Sequence, residues 1–400
     1  MRHPQISRSV FVLAAAFVGF AVAGAGCQAT PKGKANDSSA LLDQAMDVAS
    51  SPHGKSHARV KSRLQRDVVL TAIELQAFDA ALRYADRIED GRRAESLAIL
   101  AQAFAEAGER ARADQCVIRA IDLAASTEGA TQERILTEIA VAFAKMGQLE
   151  RARQFAGRVP QELTGRVEAE IATRVTIEEL DRQCDAFDRA IKTGNLDVVR
   201  SGVGGYFAVL KRVRGDASRC DRAEKAIRAA MPGLPIEYRI DASIRLSDEL
   251  DAQGRTDEAM AEVVRARDLL RTSDFLPDTS GPIGRNLALA FERRGDGVRA
   301  RELLLDMVAA YERDPKSMVD IERADYLCPL AAALAQVGDT ENALRVWALA
   351  LEAGSINPNA RPRAEDLCMI MLAMARQGIE PTEGMRSKMA QMRGGLQPPW

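Results

Sequence analysis

The chain carries three histidines, His3, His53 and His57, and all of them fall within its first 57 residues. Residues 58–400 hold none. That removes Ser-His-Asp and Cys-His nucleophilic schemes, and most histidine-ligated metal sites, from that stretch. His53 and His57 stand four apart, a spacing that could place two ligands on one helical face, but Gly54 and the polar flanks read as a solvated linker. The six cysteines are Cys27, Cys116, Cys184, Cys220, Cys328 and Cys368. None forms a CxxC pair, so zinc and redox motifs fail. An exported chain could form a disulfide, with Cys184–Cys220 the best candidate pair; the alternative is that these cysteines act as small apolar residues. Carboxylate pairs such as Glu178/Glu179 and Asp248/Asp251 have the chemistry for glycosidase-type acid–base work, but they lie on polar faces in a chain with 57 acids. Gly202-x-Gly204-Gly205 has no strand before it and no Gly-Lys-Ser/Thr after it, so it reads as a helix break rather than a phosphate cradle. The expected cofactor set is empty, and the chain reads as a non-enzyme.

The most informative cysteine is Cys27. Arg2 and Arg8 form a positive N-terminal region, Val10 to Ala23 is an apolar run of 14 residues, and small residues follow. That is the layout of a secretory signal peptide, and the run is short for a membrane span. Ala23-Gly24-Ala25 suits an ordinary signal peptidase. Ala25-Gly26-Cys27 resembles the end of a bacterial lipobox, which would make Cys27 the lipidated first residue; Gly24 stands where such sequences usually carry Leu. Residues 1–26 are therefore expected to be a signal peptide. Residues 27–57 are expected to be a flexible tether rich in small and turn-forming residues, with a short helix at Ala40–Ala49. Folded structure is expected to begin near Ala58.

The elements that fill the rest repeat. A glycine followed five residues later by alanine recurs at Gly108/Ala113, Gly147/Ala152, Gly254/Ala259, Gly295/Ala300 and Gly338/Ala343. Four residues before each glycine stand Phe104, Phe143, Leu250, Phe291 and Leu334. Eight before stand Leu100, Ile139, Leu246, Leu287 and Leu330, and seven before stand Ala101, Ala140, Ser247, Ala288 and Ala331. Offsets of i, i+1 and i+4 lie on one helical face. Glycine then ends the helix, because it takes a left-handed conformation without steric cost. The alanine marks the closest approach of the next helix. Degenerate copies fall at Gln76, Gly194 and Gly378, and successive turns lie 32 to 60 residues apart. No strand-like alternation of useful length appears. The expected fold class is all-α.

These offsets resemble those of the tetratricopeptide repeat over most of Leu70–Met389, although the spacings exceed that family's period of about 34 residues. The resemblance implies an α-α superhelix, a solenoid of antiparallel helix pairs whose first helices line a concave groove. The HEAT-type solenoid, with a period of about 40–47, is a structural alternative. The implied organisation is N-terminal repeats over 58–193, an irregular helical insert or hinge over 194–235, C-terminal repeats over 236–390 and a tail over 391–400. Some members of that family clamp a partner's C-terminal carboxylates with paired Lys and Asn. The corresponding positions here, Ala98, Gln102, Thr137, Val141, Cys328 and Ala332, do not form that clamp. The groove would carry only scattered cations, with Arg134, Lys145, Arg285, Arg293 and Arg376 as candidates, and would suit a helix or an extended peptide.

The formal net charge is −2, or −4 after loss of residues 1–26 with 53 basic against 57 acidic side chains, which leaves no electrostatic footprint for nucleic acid. The expectation is an exported, lipid-anchored scaffold of the bacterial envelope that binds a protein or peptide partner. An all-α enzyme using carboxylates on a glycan and a self-assembling structural solenoid are the alternatives.

Overall fold

The computed structural model describes residues 34–396 apart from 53, 55, 56, 175, 193 and 276. Cys27 and the segment expected to be a signal peptide lie outside the described residues. The elements are α1 (Lys34–Ser50), α2 (Ala58–Glu74), α3 (Phe78–Ala85), α4 (Arg92–Glu106), α5 (Arg110–Ala124), α6 (Gly129–Lys145), α7 (Leu149–Ala156), α8 (Gln161–Ala172), α9 (Ile177–Ile191) and α10 (Leu196–Arg212). They continue as α11 (Ala217–Ala230), α12 (Ile236–Ala252), α13 (Thr256–Arg271), α14 (Pro277–Arg293), α15 (Gly297–Arg313), α16 (Asp320–Gln336), α17 (Thr340–Ser355), α18 (Ala360–Gln377) and α19 (Glu383–Gly394). The described chain is all-α, a helical-repeat solenoid of antiparallel pairs.

The turn glycines set the pairing. Gly108, Gly147, Gly194, Gly254, Gly295, Gly338 and Gly378 all have positive φ, between 60° and 81°. Gln76, at the degenerate first turn, adopts φ 57°, the sole positive-φ residue other than glycine among those described. Gly194 joins outer α9 to inner α10, whereas the others follow an inner helix, and five of those close in the same way. The amide after the turn residue bonds back to the carbonyl of the large residue that precedes it: Glu109 N to Phe104 O at 2.8 Å, Gln148 N to Phe143 O at 2.9 Å, and Arg255 N to Leu250 O at 2.9 Å. The same bond runs from Asp296 N to Phe291 O at 3.0 Å and from Asp339 N to Leu334 O at 2.9 Å. These are the six-to-one bonds of a left-handed helix cap, and they satisfy carbonyls that would otherwise lack partners.

The large residue thus anchors the turn with its backbone while its side chain fills the core. Phe104, Phe143, Leu250, Phe291 and Leu334 are at most 1% exposed, and the alanines five after each glycine are fully buried. In two copies the residue four after the glycine covers the same ring: Arg112 stacks over Phe104 at 4.1 Å and Arg151 over Phe143 at 3.9 Å.

The solenoid closes on itself. The nine even-numbered helices pack in sequence, α2 on α4 and so on to α16 on α18, and α18 then packs on α2. These helices touch both even-numbered neighbours, so they form the inner ring, and the odd-numbered helices lie outside. The outer place beside α18 is taken by α1, which packs on both α18 and α2. Leu41, Leu42, Ala45, Met46, Val48 and Ala49 bury its inner face. Tyr84 donates to Asp43 at 2.6 Å, and Arg87 reaches Asp47 at 3.6 Å and Ser50 Oγ at 3.1 Å. These pairs advance together along α1 and α3, so α1 runs parallel to the outer helices. The first helix among the described residues therefore serves as the outer partner of α18, and α19 lies outside, against α17 and α18.

Several expectations change. Within the segment read as a tether, the short helix expected at Ala40–Ala49 is the longer α1, Lys34–Ser50, and it is docked rather than free; its buried apolar residues at i, i+1, i+4, i+5, i+7 and i+8 find α18 as a partner some 320 residues away. The 194–235 insert holds a helix pair, as its helical reading at 197–214 and 217–231 expects, but the pair is not set apart from the array: α10 is an inner helix and α11 its outer partner. Gly202 and Gly205 do not break α10. A side chain at Gly202 would sit 3.2 Å from Ala190 Cβ, and one at Gly205 would sit 2.5–2.7 Å from the Phe187 ring, so both let α9 approach. The 391–400 tail is in part structured, since α19 extends to Gly394 and Met392 and Leu396 are buried. Cys116, Cys184, Cys220, Cys328 and Cys368 are free and buried, so Cys184 and Cys220 are not bridged.

Candidate functional site: the inner wall and its closing seam

Nine helix axes spaced by roughly 8–10 Å form a ring of axes roughly 23–29 Å across. Helix bodies about 10 Å thick leave a lumen of roughly 13–19 Å. The wall is built by alternation. Large residues of the inner helices are buried in the core, while polar residues such as Asp67, Asp241 and Asp325 stay partly exposed.

Several charged groups on the inner helices are partly exposed and yet desolvated. Asp67 on α2 is 42% exposed, and Asp241 and Arg245 on α12 are 50% and 40% exposed. Desolvation nonetheless raises both carboxyls and lowers the Arg245 guanidinium. For Asp67 it outweighs the attraction of Arg66, Arg63, Arg376 and Arg92. For Asp241 it outweighs the attraction of Arg245. A side chain that touches water yet is surrounded by protein bulk is what the wall of a narrow ring produces. Asp325 on α16, also exposed, is raised by desolvation and by Glu365, and Arg285 on α14 is lowered by desolvation.

Ion pairs tie inner helices to their neighbours across the seams. Arg66 of α2 meets Glu95 of α4 at 2.7 Å, and Lys145 of α6 meets Glu106 of α4 at 2.6 Å. Gln102 of α4 donates to Glu138 Oε2 of α6 at 2.8 Å, and Arg166 of α8 holds the same carboxylate at 2.5 Å. Arg293 of α14 meets Asp248 of α12 at 3.0 Å. The closing seam follows the same rule: Arg63 of α2 pairs with Glu365 of α18, and Arg376 of α18 with Glu74 of α2, each at 2.5 Å.

The candidate groove cations sort on this basis. Lys145, Arg293 and Arg376 are engaged in seams, so they hold helices together. Arg134 is exposed on α6 and makes a long 3.5 Å contact with Thr131. Arg285 lies half-buried at mid-helix on α14, bonded to Asn286 Oδ1 at 2.7 and 3.1 Å. The five are spread over three inner helices, α6, α14 and α18, and do not form one cluster. Sequence reading missed Asp67, Asp241, Arg245, Asp325 and the closing pair Arg63–Glu365. Their signal was only a charge at mid-helix, which becomes informative once the helices form a ring.

At the closing end, Asp366 of α18 is 2% exposed and accepts a 2.6 Å bond from Asn357 Nδ2. Desolvation first, then Asp325, pushes its carboxyl up to about 8. Its space is made by Gly354, where a side chain would sit 2.9 Å from Asp366 Cβ. Outside the ring, an open cleft of about 550 Å³ between α9 and α11 is lined by Asp188, Asp221, Arg222 and Lys225. Those charges neutralise each other, with Arg222 on Asp188 at 2.6 Å and Lys225 on Asp221 at 3.1 Å. Among the described residues, no group of three His, Cys, Asp or Glu could hold a metal ion. No described helix is long and apolar enough to cross a membrane.

Fold and wall define a class: a closed ring of helical repeats. No family model matches the chain, and no curated protein matches its sequence. Among solved structures, it is similar to one described as a "Circular tandem repeat protein with novel repeat topology and enhanced subunit contact surfaces". The match is 13% identical and covers 90% of this chain and 96% of that one, with a TM-score of 0.23. At that score the superposition has no weight of its own, and ring closure rests on the contacts of α1, α2 and α18.

Proposed function

We propose that this protein is an exported, ring-shaped scaffold of divergent tetratricopeptide type, held at a bacterial envelope membrane by a lipid on Cys27, that binds a protein or peptide segment on its inner wall. The observation that carries this reading is the position of α1. It begins seven residues after Cys27, and at roughly 3.3–3.6 Å per residue that separation spans at most about 25 Å. An acylated Cys27 would therefore hold the body of the ring close to the bilayer.

It would also orient the ring. Because α1 runs parallel to the other outer helices, its first residue lies on the edge where inner helices turn into outer ones, the edge of Gly108, Gly147, Gly254, Gly295, Gly338 and Gly378. That edge would face the membrane and the opposite edge would face away. A lumen of the estimated width admits one helix, whose body is about 10–12 Å across, or an extended segment. Its wall offers separated charges of both signs rather than one charged patch, which suits a partner with mixed charge.

Two measurements test the two halves of the reading. Metabolic labelling with an alkyne fatty acid is expected to mark the wild-type chain and not Cys27→Ser; equal labelling of both overturns the anchor. A photo-cross-linking residue at Arg285 is expected to capture a partner that the same residue at exposed Ile118 on the outer surface does not. Identical capture at both positions overturns the inner-wall assignment.

A further inference from the structure

Every adjacent pair of inner helices is joined through an intervening outer helix of the same chain, except one. Between α18 and α2 there is no such connection. That seam is held by two ion pairs, Arg63–Glu365 and Arg376–Glu74, whose side chains are 26–47% exposed, and by α1, which is continuous with α2 and packs on α18. In a repeat ring each unit touches only its neighbours, so opening at any other place must disrupt a pair joined through its own turn. We propose that α1 is a latch: its release from α18 opens the ring at the α18/α2 seam while the other pairs stay folded, and this gives a chain segment lateral access to the lumen. The latch itself does not depend on the lipid anchor.

The structure supplies its own reporter. The Cys368 thiol on α18 is fully buried beneath α1, with Sγ 3.8 Å from the Ala45 carbonyl. Release of α1 uncovers it. Cys116, Cys184 and Cys220 are buried within internal pairs, on α5, α9 and α11. The test is a timed pulse of N-ethylmaleimide on the purified full chain under native conditions, with modification read at each cysteine by peptide mapping. Cys368 is expected to react at least tenfold faster than Cys116, Cys184 and Cys220. A common rate for all four, or a slower rate at Cys368, overturns the latch.

Two variants separate the latch from simple fraying of a terminal helix. Met46→Ala weakens the apolar face of α1 and is expected to speed Cys368 modification several-fold while leaving Cys220 unchanged. Arg63→Ala leaves α1 intact and weakens only the seam, and the same selective acceleration is expected. If Met46→Ala accelerates Cys368 and Arg63→Ala does not, α1 frays without the ring opening, and the proposal fails.

Discussion

The internal repeats and the closing seam solve one packing problem by different means. Between α4 and α6 the chain itself supplies the outer partner, α5, through a tight Gly108 turn whose cap bonds and buried Phe104 hold the pair together. Between α18 and α2 the outer partner is α1, brought from the far end of the sequence and positioned by the side chains of α2, α3 and α18. The buried surfaces are alike in kind; the difference is connectivity. A turn costs little entropy to close, whereas the seam closes a loop of several hundred residues. The seam is therefore where the ring is expected to be weakest, although its contacts look ordinary.

The strongest test of that contrast is removal of α1. A chain starting at Ser51 loses the burial of Leu41, Leu42, Met46 and Val48, each a side chain worth about 1.5–3 kcal/mol. The expected loss exceeds about 5 kcal/mol in denaturant unfolding, with a larger radius of gyration in solution scattering. Removal of α19, which covers only the outside of α17 and α18, is expected to cost less and to leave the radius of the ring unchanged. Similar losses from both truncations would abolish the special status of α1.

Gly205→Ala tests an internal contact, the approach of α9 to α10. The new Cβ falls on the Phe187 ring, and a cost of about 1–3 kcal/mol is expected, read as a lowered melting temperature. Asp366→Asn tests the closing end. The folded carboxyl titrates near 8 and the unfolded one near its usual value of about 4, so the folded state binds the extra proton between those values. Stability is then complete below about pH 4 and falls as pH rises towards 8. The Asn variant is expected to lack that decline and to be more stable by several kcal/mol at pH 8, at about 1.4 kcal/mol per pKa unit, with little difference at pH 4. A parallel pH dependence in both proteins would show that Asp366 does not carry it.

The smaller effects sharpen the picture. Gln76→Gly relieves a side chain held at φ 57°, and a gain of about 1 kcal/mol is expected from chemical denaturation. Arg376→Ala removes a half-exposed seam pair and is expected to cost under about 1 kcal/mol of global stability. Its clearer signature is faster Cys368 modification.

Much of the local structure was legible. The glycine positions, the Phe/Leu four residues before them and the alanine five after them predicted turns, caps and core, because cap geometry and helical periodicity are properties of a few adjacent residues. Even the degenerate turn at Gln76 was marked by its place in the beat. The helix at 40–49 was visible as an apolar pattern, yet its partner was not, because amphipathicity states that a face must be buried and not against what. Gly202 and Gly205 were misread for the same reason. A glycine in a helix signals either a break or a close approach, and only Phe187 across the interface decides between them.

The candidate site was the least legible part. Lys145, Arg293 and Arg376 are cations near helix ends, and sequence cannot distinguish a free groove charge from one that reaches a carboxylate on the next helix. The sequence by itself determined that this chain forms capped, alternating helix pairs and that residues 58–400 carry no histidine. Only the tertiary structure decided that the pairs curve through a full turn, that α1 closes them, and that Asp67, Asp241, Arg245 and Asp325 are desolvated although partly exposed. Pairing is set by neighbours a few residues apart, whereas curvature sums small rotations over the whole array, and its closure depends on contacts between residues about 300 apart.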